Sequence, residues 1–169
     1  MTNSLVIFGD RPGPRTDPAQ ALYPHTTTGA AAKLISLLGV TREFYLENAQ
    51  RYNVRHDGEQ LLSLDEARYR VKEVMVRTLT EHRLESRFLF VGGEALRGAP
   101  QFYRRMQFLE TQDLVMYIPH TSGVNRWYNS AENTQACRET LGVFTQGWRG
   151  KGSAQTTQQS LSERSETQS

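Results

Sequence analysis

Three short stretches of this chain are apolar almost without interruption: Ser4-Leu5-Val6-Ile7-Phe8, Phe88-Leu89-Phe90-Val91 and Leu114-Val115-Met116-Tyr117-Ile118. A strand with one wet face alternates apolar and polar residues. A strand covered on both faces has no need to. Each run is too short for a helix and ends in a turn signal: Gly9-Asp10-Arg11-Pro12-Gly13-Pro14, Gly92-Gly93 and Pro119-His120. They read as buried strands of a parallel sheet.

The intervening segments supply the cover. Thr28 is placed to cap a helix from Gly29 to Leu38, which Gly39 stops. Thr41 opens a second through Leu46. Gln50–Arg55 is a weaker strand closed by the turn His56-Asp57-Gly58. Ser63-Leu64-Asp65-Glu66 is a capping box. Leu64, Ala67, Val71, Val74, Met75 and Leu79 follow at helical spacing, so 64–83 is an amphipathic helix. A short helix follows Gly92-Gly93, and Ser130 caps a last one to about Phe144. Strands alternating with helices imply a parallel sheet with helices on both faces.

The stretch Lys151–Ser169 is rich in Ser, Thr and Gln with one Leu, so it lacks the apolar area to offset ordering entropy. The expected organisation is one folded α/β domain over 1–149 and a disordered tail over 150–169. Of the 169 residues 37% are hydrophobic, enough for one core. No run approaches the ~18 apolar residues of a membrane span, and no signal peptide is visible at the start. A single cysteine, Cys137, excludes an internal disulfide and a four-cysteine metal site. The expectation is a cytoplasmic protein, a monomer, with no membrane partner, no metal and no cofactor. Net charge is only +2, but seventeen Arg stand against three Lys. Arg favours planar, bidentate contact with phosphate or carboxylate. A genome-composition bias explains the excess equally well. Arg51, Arg55, Arg97, Arg104, Arg105 and Arg126 would concentrate positive charge locally if the fold gathers them.

In open parallel sheets, ligands sit beyond the carboxyl ends of the strands. The two chemically rich loops, 9–14 and 119–127, follow two strong strands and are expected to meet at one sheet edge. The first holds Asp10 in a stiff turn, where it either orients a water or stabilises a cation, or bonds local N–H groups as a turn residue. The second joins His120, Thr121, Ser122 and Gly123, with Asn125 and Arg126 beyond. A neutral imidazole there can donate to an oxyanion, and hydroxyls and amides suit phosphate. Trp127 is either a wedge between bases or a core residue. Asn53, at a strand end, offers an acceptor and two donors matching a pyrimidine edge, or is a plain turn residue. His25, His56 and His82 have no partner at metal-ligand spacing, and Cys137 reads as packing rather than nucleophile.

Taken in order, these loops resemble the uracil-DNA glycosylase superfamily. Gly9-Asp10-Arg11-Pro12-Gly13 is similar to its first motif, and His120-Thr121-Ser122 to its His-Pro-Ser loop. Thr28-Gly29-Ala30-Ala31-Ala32-Lys33-Leu34 resembles the Gly-Ala-Ala-Gly-Lys-Leu helix start of the thermophilic-type branch. Arg51-Tyr52-Asn53-Val54-Arg55 resembles its Thr-Asn-Val-Val-Lys strand, and Phe90–Arg97 its third strand and turn. The likeness spans about 4–145. It implies a three-layer α/β/α fold with a four-stranded parallel sheet. It further implies a DNA glycosylase that hydrolyses the N-glycosidic bond of a flipped uracil or altered pyrimidine.

Under that resemblance Asp10 orients the attacking water, and His120 hydrogen-bonds O2 of the departing base. Asn53 reads the base edge and Tyr23 stacks on it, with Gly9 and Arg11 beside the base. Pro12, Gly13, Thr121, Ser122, Gly123, Asn125 and Arg126 contact DNA, single- or double-stranded, with Val124 beside them at the gap. Departures from the pattern are equally specific. The cluster-binding cysteines are missing, so no iron–sulfur centre is implied. Thr121 replaces a Pro, which is expected to loosen the loop, and Asp10 replaces a longer Glu or Gln. Ser122-Gly123-Val124-Asn125-Arg126 is closer to the mismatch-specific branch. Two alternatives remain: a non-catalytic DNA or modified-base binding module on the same fold, and an enzyme acting on free nucleotides or nucleosides.

Overall fold

The structure is a computed structural model that describes residues 3–10 and 20–150. The expected tail, apart from Gly150, therefore lies outside the described residues, as do Arg11, Pro12 and Gly13. In chain order the elements are β1 (Ser4–Gly9), α1 (Ala30–Leu38), α2 (Arg42–Asn48), β2 (Ala49–Asn53), β3 (His56–Asp57), β4 (Gln60–Leu61), α3 (Leu64–His82), β5 (Ser86–Val91), α4 (Gly93–Arg97), β6 (Thr111–Gln112), β7 (Val115–Ile118) and α5 (Ala131–Phe144).

The main sheet runs β2-β1-β5-β7-β6, and its first four strands are mutually parallel. The expected four-stranded sheet is thus corrected to five. The addition, β6, pairs antiparallel with β7 at the edge. Two residues carry no readable alternation, which is why the sequence does not announce this strand. Asp113, with φ of 53°, lets the chain fold straight back into β7. A separate two-stranded hairpin, β3–β4, turns at Gly58 with φ of 59°.

Both faces of the sheet are covered, as uninterrupted apolar strands require. Leu5, Ile7, Leu89 and Met116 point to one side, against Leu34, Leu37 and Leu38 of α1, Tyr45 of α2, and Leu141 and Phe144 of α5. Val6, Phe8, Phe88 and Phe90 point to the other, against Val71, Val74 and Met75 of α3 and Leu96 of α4. Burying one such leucine is worth about 2 kcal/mol. Phe8 stacks on Phe90 at 4.8 Å and on Tyr52 at 5.9 Å, which knits three neighbouring parallel strands on the α3 side.

The helix ends follow the residues expected at most positions. Ser63 accepts from the Glu66 amide, and the Glu66 carboxylate accepts from the Ser63 amide. Thr41 accepts from the Phe44 amide, Ser130 accepts from the Asn133 amide, and Gly39 closes α1 at φ 70°. Thr28 is the exception. Gly29 is the residue before α1, at φ 103°, and no side chain caps the helix. The Thr28 amide instead bonds the Thr26 hydroxyl, because the positive φ at Gly29 turns the preceding residues away from the helix axis.

Candidate active site

Register alone brings the strand ends level. Gly9 pairs with Asn53 on one side and Val91 on the other, and Val91 pairs with Ile118. Asp10, Gly92 and His120 therefore leave the sheet at one edge, although 110 positions separate the first from the last. The described end of the first loop, Asp10, meets the second loop at His120, as expected.

Asp10 is held from above and below. Its Oδ1 accepts a 2.6 Å hydrogen bond from the Ala95 amide in the first turn of α4. Its Oδ2 lies 3.9 Å from Nε2 of His120. Both side chains retain access to solvent, 18% and 27% exposed, so the pair lines an opening rather than a closed core. The Ser122 amide donates to Nδ1 of His120 at 3.0 Å. Nδ1 is thereby an acceptor, and the ring carries its proton on Nε2, the nitrogen that faces Asp10. The imidazole is aimed as a hydrogen-bond donor by the loop that bears it.

The loop is tightly tied. Nδ2 of Asn125 donates to the His120 carbonyl at 2.8 Å, and Oδ1 of Asn125 accepts from the Trp127 amide at 3.0 Å. Both ends of this amide are engaged inside the loop, so Asn125 shapes it, while the residue still lines the neighbouring cleft. Thr121 is buried at 2% exposure, and its hydroxyl donates to the Ala30 carbonyl at 2.7 Å. Its hydroxyl is turned to α1, while the residue lines the neighbouring cleft. The bond fastens the loop to the start of α1. What the loop presents outward is Ser122, Gly123, Arg126 and Val124, the last 90% exposed at the tip. Trp127 packs its ring on Phe108 and Tyr128 at 5.9 and 4.9 Å and is half-buried beside the core.

Asn53 is 4% exposed at the end of β2, in the row with Asp10 and His120. Tyr23 stands next to the same strand. The guanidinium groups of Arg42 and Arg51 lie 5.6 and 5.9 Å from its ring. The residue placed directly over Gly9 is its neighbour Leu22, whose Cδ1 would lie 3.1 Å from a β-carbon there. The buried Tyr45 hydroxyl donates to the Leu22 carbonyl at 2.7 Å, and Arg51 donates to the Ala21 carbonyl at 3.3 Å. Sequence reasoning passed over Leu22, and no local signal marks it.

Gly92 was also passed over, although the Gly92-Gly93 pair was the signal that could have found it. It has φ of 98°, and a β-carbon there would sit 2.5 Å from Oδ2 of Asp10. Tyr117 belongs to the same neighbourhood: burial first, and the Asp10 charge second, push its hydroxyl above the ordinary phenol range.

Beside His120 opens a cleft of about 370 Å³, lined by Thr27, Thr28, Lys33, Ser36, Ser122 and Asn129 among others. Hydroxyls, amides and one ammonium line it together with Ala32 and Tyr128, and it reaches the site at Ser122. Among the described residues no group of His, Cys, Asp and Glu is arranged to hold a metal ion, and no helix is long and apolar enough to cross a membrane. Compared with protein-family models, curated proteins and solved structures, the chain matches none.

Proposed function

We propose that the protein is a monofunctional DNA glycosylase that hydrolyses the N-glycosidic bond of a flipped pyrimidine nucleotide and leaves an abasic site. One observation carries this reading: a carboxylate and an Nε2–H imidazole, 3.9 Å apart, facing each other at the open end of a parallel sheet. The C1′–N bond breaks with its electron pair going to the base. His120 Nε2–H stabilises the charge that develops on the base oxygen. Asp10 orients a water toward C1′, stabilises the positive charge on the sugar, and takes the water's proton. Asn53, which ends the neighbouring strand, is the residue assigned to the pyrimidine edge, and Ser122 with the Lys33 cleft offers donors to flanking phosphates. Extrusion of the base costs a few kcal/mol and is least costly at a mismatched or damaged pair.

The test is an abasic-site assay on duplexes carrying uracil, mismatched thymine or hydroxymethyluracil. Abasic product is expected on at least one, and Asp10→Asn or His120→Ala is expected to lower its rate by about 100-fold or more. A folded protein that cleaves none of them overturns the reading.

A second reading, a binding module that recognises a modified base without cutting it, is favoured by the Ala95 bond. That bond uses one oxygen of Asp10 structurally. Salt-dependent DNA binding without abasic product supports it over the first.

A further inference from the structure

Four arginines, Arg68, Arg97, Arg104 and Arg105, lie in and around the segment at the end of α4. Arg68 of α3 and Arg104 each spend Nε on a carbonyl at or just past the end of α4: Arg68 on Arg97 at 2.9 Å, Arg104 on Ala99 at 2.7 Å. No other hydrogen bond holds either guanidinium among the described residues. The two charges crowd each other. Burial first, then the neighbouring Arg68 charge, lower the Arg104 pKa, while Asp65 opposes them. Arg105 follows in the same turn and is exposed, and Arg97, 61% exposed, is paired only with Glu94 at 3.4 Å.

Phe102, 73% exposed, lies in the same segment, between Ala99 and Arg104. Its ring is braced edge-on against Tyr103 at 5.2 Å and 88°. Arg105 follows three residues on, past the end of the short 3-10 turn Gln101–Tyr103, and is exposed as Phe102 is. Capping of the α4 carbonyls accounts for Arg68 and Arg104. It does not account for Arg105 or for a large aromatic held out into water.

We infer that Phe102, with Arg105, Arg104 and Arg68 around it, is a docking platform for single-stranded nucleic acid, one base stacked on the ring and phosphates on the guanidiniums. An exposed aromatic flanked by cations suits an unpaired base and its backbone, whereas a paired base has no free face to stack. The platform is joined to the candidate active site by α4. Gly93 adjoins the Asp10 neighbourhood, and Arg97 ends the helix ~6 Å of rise further on, the span of about two stacked nucleotides. Its placement as a strand guide rests on the glycosylase reading; its nucleic-acid affinity does not.

The experiment is fluorescence anisotropy with an unmodified oligothymidylate and, separately, a duplex of natural bases, over a salt series. Oligothymidylate is expected to bind the full chain more tightly than the duplex. Phe102→Ala is expected to weaken it about tenfold without changing the salt slope. Arg105→Ala is expected to reduce the slope by about 0.7. Both side chains are exposed, and thermal melting checks that the variants stay folded. Wild-type binding by both variants, or equal affinity for strand and duplex, overturns the inference. Loss of affinity in the variants with no excision on any substrate leaves the platform standing and rejects the glycosylase. Excision with unaltered binding in both variants rejects the platform alone.

Discussion

The carboxylate of Asp10 lies across the α-carbon of Gly92, so close that a β-carbon there would fall 2.5 Å from Oδ2 and 2.6 Å from Oδ1. Gly92 also holds φ at 98°, which side-chain-bearing residues rarely adopt. Two independent reasons thus forbid any other residue. Gly92→Ala is expected to lower stability by more than about 1 kcal/mol in a denaturant titration, and to displace Asp10 from the Ala95 amide. A variant as stable and as active as the parent would contradict this geometry.

Thr121 carries the fastening of the His120 loop. Thr121→Val keeps the shape, removes the hydroxyl, and leaves the Ala30 carbonyl without that partner. A loss of about 1–2 kcal/mol in chemical denaturation is expected. Faster amide exchange over the residues from Thr121 to Trp127 should accompany it, and unchanged exchange would show that the bond does not hold the loop.

Glu66 links stability to acid. The Ser63 amide first, and its hydroxyl second, hold the Glu66 carboxyl below its ordinary value of 4.5. A carboxylate with a depressed folded pKa contributes stability above its unfolded pKa. That contribution is lost as pH falls through the folded pKa. The parent is therefore expected to lose melting temperature below about pH 4.5 more steeply than Glu66→Gln, measured side by side over the acid range.

Cys137 is expected to be inert in the native state. It is fully buried, and desolvation pushes its thiol up to about 11 despite the Tyr128 hydroxyl beside it. A thiol reagent at pH 8 should label it only after denaturant is added, at the rate of unfolding. Rapid labelling of folded protein would refute the burial.

The strands were legible because burial on both faces writes a local signature, and Leu5–Phe8, Phe88–Val91 and Val115–Ile118 carry it unbroken. The caps at Thr41, Ser63 and Ser130 were legible because a cap is a contact between residues three apart. Thr28 misled for the same reason: its neighbour Gly29 takes a positive φ that residue type permits but does not compel. Strand β6 was illegible, since two residues have no period.

By itself the sequence determined a parallel sheet covered on both faces, and it placed Asp10 and His120 on loops at one edge. That much follows from apolar runs and chain direction. Only the tertiary structure decided which atoms face which. It turned Nε2 of His120 toward Asp10, drew Thr121 inward, closed the Asn125 amide inside its own loop, and set Leu22 over Gly9. Each of these is a hydrogen bond or contact whose geometry depends on a few tenths of an ångström between distant segments, and no local pattern of residues encodes such a distance.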